Sequence, residues 1–369
     1  MKVLGVVTLV SPQGEYGGPV RVAVNQLAAL RERGHDVVLA GSHRGFIRGA
    51  PESFESVPTR LFPARTLLPG AGFAGLGSPG LWRAVRRHAR EFDVVHVHAA
   101  RDLVTLPAAR IAQRLGVRTV LQSHGMIDES ANPLAGPVDA ALTRPALASA
   151  HHVTYLTSHE RQALETVGRG AADLAELPNG VPSADPPARR SGPPHVLYLA
   201  RLAPRKRPRI FVEAATRLAA EFPNARFTLV GPDEGEGAAV RAAIAASGAG
   251  GRIRWEGAVP PGETIARMRD ATVYVLPSVD EPYPMTVLEA MSLGLPVVVT
   301  DTCGLARFVS ESGAGTVVND SVEALVGSLR TLLTDTAAAV AAGDAGRDAV
   351  RMQRSMAAIA ERLETLYTD

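Results

Sequence analysis

Two carboxylates eight residues apart, Glu281 and Glu289, stand in the stretch 277–300, PSVDEPYPMTVLEAMSLGLPVVVT. On one continuous helix the step from one to the other is about two turns plus 80°, so the two side chains would not share a face. The surrounding residues remove that objection. An apolar run at 271–276 reads as a buried strand, 278–284 as a loop, 285–293 as a short amphipathic helix and 296–300 as the next strand. Pro284 suits the first helical turn, where its missing N–H is no loss, Gly294 suits the position just past the helix, and Pro296 prevents continuation. Glu281 then lies in a loop ahead of a helix N-terminus, and Glu289 points the same way from one turn inside. The free N–H groups and the positive dipole end favour an anion there. A carboxylate held above an anion accepts hydrogen bonds from neutral hydroxyls more readily than it binds the anion. Hydroxyls beside a phosphate describe a sugar nucleotide; two solvated glutamates on a surface loop and helix are the plain alternative.

Other residues carry compatible chemistry. The loop 201–208 (RLAPRKRP) follows an apolar strand at 195–200 and precedes a helix. It gathers Arg201, Arg205, Lys206 and Arg207 beside a helix N-terminus, a phosphate site or else a solvated basic loop. Basic residues are nearly all arginine, and only Lys2 and Lys206 are lysine. Near the start, Gly17 and Gly18 sit between a strand (2–9) and a helix (20–33), where a ligand can approach the backbone closely. This is not a G-x-G-x-x-G fingerprint, so a dinucleotide is not indicated. His124 follows a strand at 118–122 and precedes Gly125, which places it at the same sheet edge as the glycine loop, unless it is tied to local backbone. His96 and His98, two apart on a strand, share a face. No His or Cys at ligand spacing makes a zinc site at His124, and the chain has no Asp-x-Asp.

These elements sit in a chain of 369 residues, long enough for two domains, with 46% hydrophobic and 21% charged residues. A net charge of +2 does not suggest a nucleic acid as the main partner. The single cysteine, Cys303, allows no internal disulfide and fits a reducing compartment. MKVLGVVTLV at the start reads as a first buried strand, not a signal peptide, and no run of 18 apolar residues predicts a membrane span. Strands and helices alternate throughout, which predicts parallel sheets. The proline-rich run 182–194 reads as a linker that splits the chain into similar halves. The segment 67–92 joins a glycine-broken apolar loop to a helix carrying Arg83, Arg86 and Arg87. It reads either as a solvated helix face or as a contact for an anionic membrane. The helical run 337–366 is expected to break near 343–346, where glycines cluster.

In order, Gly17-Gly18, Ser123-His124-Gly125, Pro178-Asn179-Gly180-Val181, Arg201 with Lys206, Leu229-Val230-Gly231 and Glu281-x7-Glu289 followed by Gly294-Leu295-Pro296-Val297 make a pattern. It resembles the retaining GT-B glycosyltransferases of family 4, the group 1 glycosyltransferases, over nearly the whole chain. The resemblance implies an α/β fold of two facing Rossmann-like domains with the active site in the cleft between them. An acceptor-binding domain would cover 1–185 and a nucleotide-sugar domain 195–350, with a last helix, 351–369, returning to the first domain. Carried over residue by residue, Arg201 and Lys206 neutralise the donor diphosphate and Glu281 lies near the donor sugar's hydroxyls. Glu289 would then accept from the ribose, His124 lie near the transferred sugar, and Gly17 and Gly18 lie at the donor phosphate and acceptor. The family often has Phe-Gly after the first glutamate. Here Tyr283-Pro284 stands instead, and because Pro284 has no N–H, any backbone contact to the sugar must come from Met285 or Thr286. The implied reaction moves a sugar from a UDP- or GDP-type donor to an acceptor hydroxyl with retention, without a metal or other cofactor, in the cytoplasm or at the inner membrane face. Acceptors range from a lipid-linked glycan to a small metabolite. A non-hydrolysing sugar-nucleotide epimerase and a non-catalytic sugar-binding module are the competing readings.

Overall fold

Valine- and leucine-rich runs, too short for helices and bounded by turn residues, become the strands. In the computed structural model, which describes residues 1–12, 17–47, 49–182 and 192–369, they form two large, mainly parallel sheets and one two-stranded antiparallel pair. The chain divides into a first unit, Met1–Gly180 with Met356–Asp369, and a second, Val181–Ser355. Most of the linker predicted at 182–194 and part of the glycine loop lie outside the described residues.

The first unit contains β1 (Lys2–Val10), β2 (Asp36–His43), β3 (Ser53–Phe54), β4 (Val57–Pro63), β5 (Arg65–Thr66), β6 (Leu76–Gly77), β7 (Val94–His98), β8 (Arg118–Gln122), β9 (His152–Tyr155) and β10 (Leu174–Glu176). Its main sheet runs β10-β9-β8-β7-β1-β2-β4-β3, parallel except for the β3–β4 hairpin. Every residue of β1 after Lys2 is buried, as expected for a central parallel strand covered on both faces. The strand order reverses between β1 and β7, the kind of switch point where open α/β sheets bind ligands. The helix Met356–Thr368 completes this unit. It buries Ile359, Ala360, Leu363 and Tyr367 against Leu27, Leu30 and Val37, at about 1.5–3 kcal/mol for each large side chain. Glu364 on its outer face bonds Arg33 and His35.

The second unit contains β11 (His195–Leu199), β12 (Arg226–Val230), β13 (Ile253–Trp255), β14 (Val273–Leu276), β15 (Val297–Thr300) and β16 (Gly315–Val318). All pairings are parallel, in the order β13-β12-β11-β14-β15-β16, the doubly wound arrangement with its switch point between β11 and β14. The helix Met285–Ser292 ends as its sequence predicts. Gly294 adopts φ +71° and its N–H bonds the Met291 carbonyl at 2.9 Å.

One expectation fails here. The helix Thr336–Gln353 runs through 343–346 without a break, and the interruption falls at Arg354 and Ser355. The glycines serve close packing instead. A Cβ at Gly343 would overlap the Gly294 carbonyl oxygen, and one at Gly346 would sit 2.9 Å from the Ala314 methyl. The favourable packing of this helix against 294–296 exceeds the roughly 1 kcal/mol that each interior glycine costs.

Candidate functional site

At the switch point of the second sheet, the segments that follow β11, β12 and β14 enclose a cavity of about 300 Å³. Arg201 and Lys206 come from the first of these segments and Gly231 from the second. Glu281, Met285 and Thr286 come from the third. Six of the residues singled out by sequence therefore meet in one place.

Lys206 and Glu281 are its chemical centre. Their side chains are 11% and 9% exposed, and Nζ lies 2.5 Å from Oε2. Arg205, half-exposed, reaches the same carboxylate at 3.6 Å. Arg201 also lines the cavity, but its guanidinium donates to Glu234 at 2.9 Å in an exposed pair. Backbone held in uncommon conformations sets these positions. Arg207 and Asp280 are left-handed, at φ +51° and +49°, which turns the chain sharply beside Lys206 and Glu281. Hydrogen bonds hold both turns: Val279 N–H donates to the Arg205 carbonyl at 3.0 Å, Asp280 N–H to Thr302 Oγ1 at 3.1 Å, and Gly304 N–H to the Glu281 carbonyl at 2.8 Å. Beneath the cavity, Tyr274 donates to the Leu199 carbonyl and lies 2.7 Å from Thr286 Oγ1, while Tyr198 donates to the carbonyls of Arg201 and Lys206. Burial raises both phenols, so they stay neutral donors. Cys303 is also buried, its thiol pushed up to about 11, which leaves it protonated and unreactive. Glu289, one turn along the helix, is half-buried and lies outside the cavity lining.

The remaining predicted residues belong to the first unit. Gly17 and Gly18 are the first residues of the helix Gly17–Glu32, and a Cβ on Gly18 would meet nothing within 4 Å. His124 follows β8 in a turn closed by Met126 N–H to the Ser123 carbonyl at 2.9 Å. Both central residues, His124 (φ +52°) and Gly125 (φ +72°), are left-handed, as a type I′ turn requires. His124 Nε2 lies 2.8 Å from His98 Nδ1 with the rings parallel, and His98 stacks in turn on His96, whose Nδ1 lies 2.7 Å from the Tyr367 hydroxyl. Burial lowers all three imidazoles, His96 and His124 to about 3, so the stack is neutral at ordinary pH.

Sequence reasoning missed two groups at this edge. Asp102, after β7, accepts from Thr8 Oγ1 at 2.7 Å and from the N–H groups of Val104 and Thr105 at 2.7 and 2.6 Å. It joins the ends of β1 and β7, and burial lifts its carboxyl to about 6. Glu160, 5% exposed, accepts from Ser123 Oγ and from Gly125 N–H. The capping-box spacing Thr157-x-x-Glu160 was the available signal for it.

The family described as Glycosyl transferases group 1 matches residues 183–349, and the Glycosyl transferase 4-like domain matches 17–180. The chain is similar to a D-inositol 3-phosphate glycosyltransferase of Corynebacterium efficiens, at 29% identity over 90% of this chain and 80% of that protein. It is similar to a glycogen synthase of Mycobacterium tuberculosis at 30% identity, over 72% of this chain and 64% of that one. Among solved structures, sucrose-phosphate synthase from Thermosynechococcus elongatus superposes with a TM-score of 0.72 at 21% identity, covering 100% of this chain and 98% of that one. Anabaena HepE, solved with UDP and glucose, superposes with a TM-score of 0.71 at 19% identity, covering 100% of both chains. Such likenesses establish the GT-B fold. With matches to both of its halves, the chain belongs to the group 1 glycosyltransferases and is a glycosyltransferase.

Proposed function

We propose that the protein transfers a hexose from a nucleoside-diphosphate sugar, of UDP or GDP type, to an acceptor hydroxyl, with retention of anomeric configuration and without a metal ion. The observation that carries this reading is the buried Lys206–Glu281 pair in a cavity at the sheet switch point. In that cavity a diphosphate would meet Lys206, Arg201 and the N-terminus of the helix Met285–Ser292, with Arg201 released from Glu234. Glu281 would accept from sugar hydroxyls, Met285 and Thr286 would offer the first N–H groups of that helix, and Glu289 would accept from the ribose. Gly17, Gly18 and His124 would serve the phosphate, the acceptor and the transferred sugar. In the reaction the bond from the anomeric carbon to the diphosphate oxygen breaks, the acceptor oxygen bonds that carbon on the same face, and the acceptor proton passes to the departing phosphate. Lys206 and Arg201 stabilise the negative charge that develops there.

A panel of sugar nucleotides screened by thermal unfolding tests the donor assignment. A ligand at about a hundred times its Kd stabilises the folded state by about 2.7 kcal/mol. No shift with any UDP- or GDP-sugar overturns it. Because relatives include named inositol 3-phosphate glycosyltransferases, inositol phosphates head the acceptor screen. Glycoside formation with an added acceptor separates transfer from epimerisation and from mere sugar binding.

Metal independence has its own expected result. Two full cations and a partial positive helix end supply charge at the diphosphate. Transfer in excess EDTA is expected to stay within about twofold of the magnesium-replete rate. Complete loss that magnesium restores contradicts the assignment.

No helix among the described residues is long and apolar enough to cross a membrane. A peripheral contact is proposed for 67–92. The helix Pro79–His88 buries Leu81 and Val85 and exposes Arg83, Arg86 and Arg87, while Leu67 and Leu68 are 40% and 45% exposed. At about 1 kcal/mol per arginine near an anionic surface, replacing all three by alanine removes about a hundredfold in affinity and abolishes co-sedimentation with anionic vesicles at low salt. Failure of the unaltered protein to sediment rules the contact out.

A further inference from the structure

The carboxylate of Glu160 has no cation beside it in the described ion pairs, yet it is buried. It is satisfied instead by three donors from two segments: Ser123 Oγ, Gly125 N–H at 2.6 Å and Leu156 N–H at 2.6 Å. In an ordinary capping box the N3 carboxylate returns to the N-cap N–H. Here Thr157 caps the helix Ser158–Gly168 in the usual way, accepting from Glu160 N–H at 3.2 Å. The Glu160 side chain passes the cap and clasps the residues on either side of His124.

His124 needs such a clasp. A left-handed non-glycine residue costs about 1–2 kcal/mol. Left to itself the turn would relax, and the imidazole would swing off His98. Two contacts resist that: Glu160 fixes the backbone from below, and His98 Nδ1 engages His124 Nε2 at 2.8 Å. With both rings neutral, these two nitrogens share a single proton, so His124 Nε2 is occupied and Nδ1 is the nitrogen left to face a substrate.

We propose that Glu160 is a positioning residue for the transfer reaction, acting through His124; this rests on the proposed role of His124 beside the transferred sugar. It binds no substrate. It holds the 123–126 turn so that the His124 ring keeps one orientation and one available nitrogen.

The test compares Glu160→Ala, Glu160→Gln, His124→Ala and the double variant Glu160→Ala/His124→Ala. Glu160→Ala is expected to lower kcat by about tenfold to a hundredfold, the range for a reacting group displaced by about 1 Å. Nucleoside diphosphate affinity should be unchanged, because its cavity belongs to the second unit. Glu160→Gln should fall between the wild type and alanine, since its carbonyl can still accept from Ser123 and Gly125, and it keeps the test alive if the alanine variant does not fold. In the double variant, loss of Glu160 should cost nothing beyond loss of His124. Nitrogen-15 spectra of the imidazoles give a readout independent of activity: Glu160→Gln should shift the His124 ring signals. Unshifted ring signals, a kcat within twofold of wild type in Glu160→Ala, or losses that multiply in the double variant each overturn the proposal. If the wild type transfers no sugar at all, the proposed function fails instead, and the ring spectra still decide whether Glu160 positions His124.

Discussion

Lys206→Ala lowers turnover by about two to three orders of magnitude, while Arg205→Ala stays within several-fold. Neighbours in one basic loop would behave alike if the loop were only a charge patch. The structure separates them. Lys206 is nearly buried, 2.5 Å from the buried Glu281 carboxylate and on the cavity wall, whereas Arg205 is 45% exposed and 3.6 Å from that carboxylate. Removing Lys206 deletes the charge that would stabilise the leaving diphosphate and also leaves Glu281 without its close partner. Steady-state kinetics on the two variants checks this. Equal turnover would show that Lys206 acts only as one more surface charge.

Gly231→Ala should damage stability and ligand binding together. Gly231 sits at φ +149°, outside the range of alanine, and a Cβ there would overlap the Ala200 carbonyl oxygen at the end of β11. Its N–H donates to the Gly257 carbonyl at 2.8 Å, and its carbonyl accepts from the Trp255 indole at 3.0 Å, so the segment cannot move aside without losing both. Strain and overlap combine to about 2–4 kcal/mol, which lowers the melting temperature by roughly 5–15 °C. Nucleoside diphosphate binding is lost with it, because Ala200 and Gly231 both line the cavity. Gly136 serves as control: it is helical, with nothing within 4 Å of an added Cβ, and alanine there is neutral or mildly stabilising. A normal melting temperature for Gly231→Ala would contradict this account of the Leu229-Val230-Gly231 motif.

Much of this was legible because it depends on local pattern. The Glu281 loop and the helix after it follow from Pro284, Gly294 and Pro296, whose backbone limits act wherever they occur. Strands such as β14 and β15 follow from apolar runs too short for helices. What stayed hidden depends on partners distant in sequence. The glycines at 343–346 read as a break, since their use against Gly294 and Ala314 appears only once the chain is folded. Glu160 was not singled out because its carboxylate serves Ser123 and Gly125, more than thirty positions earlier. The hairpin strand β3 and the paired β5 and β6, two residues each, are too short for any periodicity to register. Arg201 was expected at a phosphate, and its pairing with Glu234 could not be foreseen, as exposed side chains choose among several partners.

Proton NMR of the reaction of the protein with an α-linked nucleoside-diphosphate sugar and an acceptor, followed in excess EDTA, tests the central proposal. The expected spectrum shows equal growth of free nucleoside diphosphate and of a glycoside whose anomeric coupling is that of an α linkage. A β-linked product, or an epimerised donor with no glycoside, would contradict it.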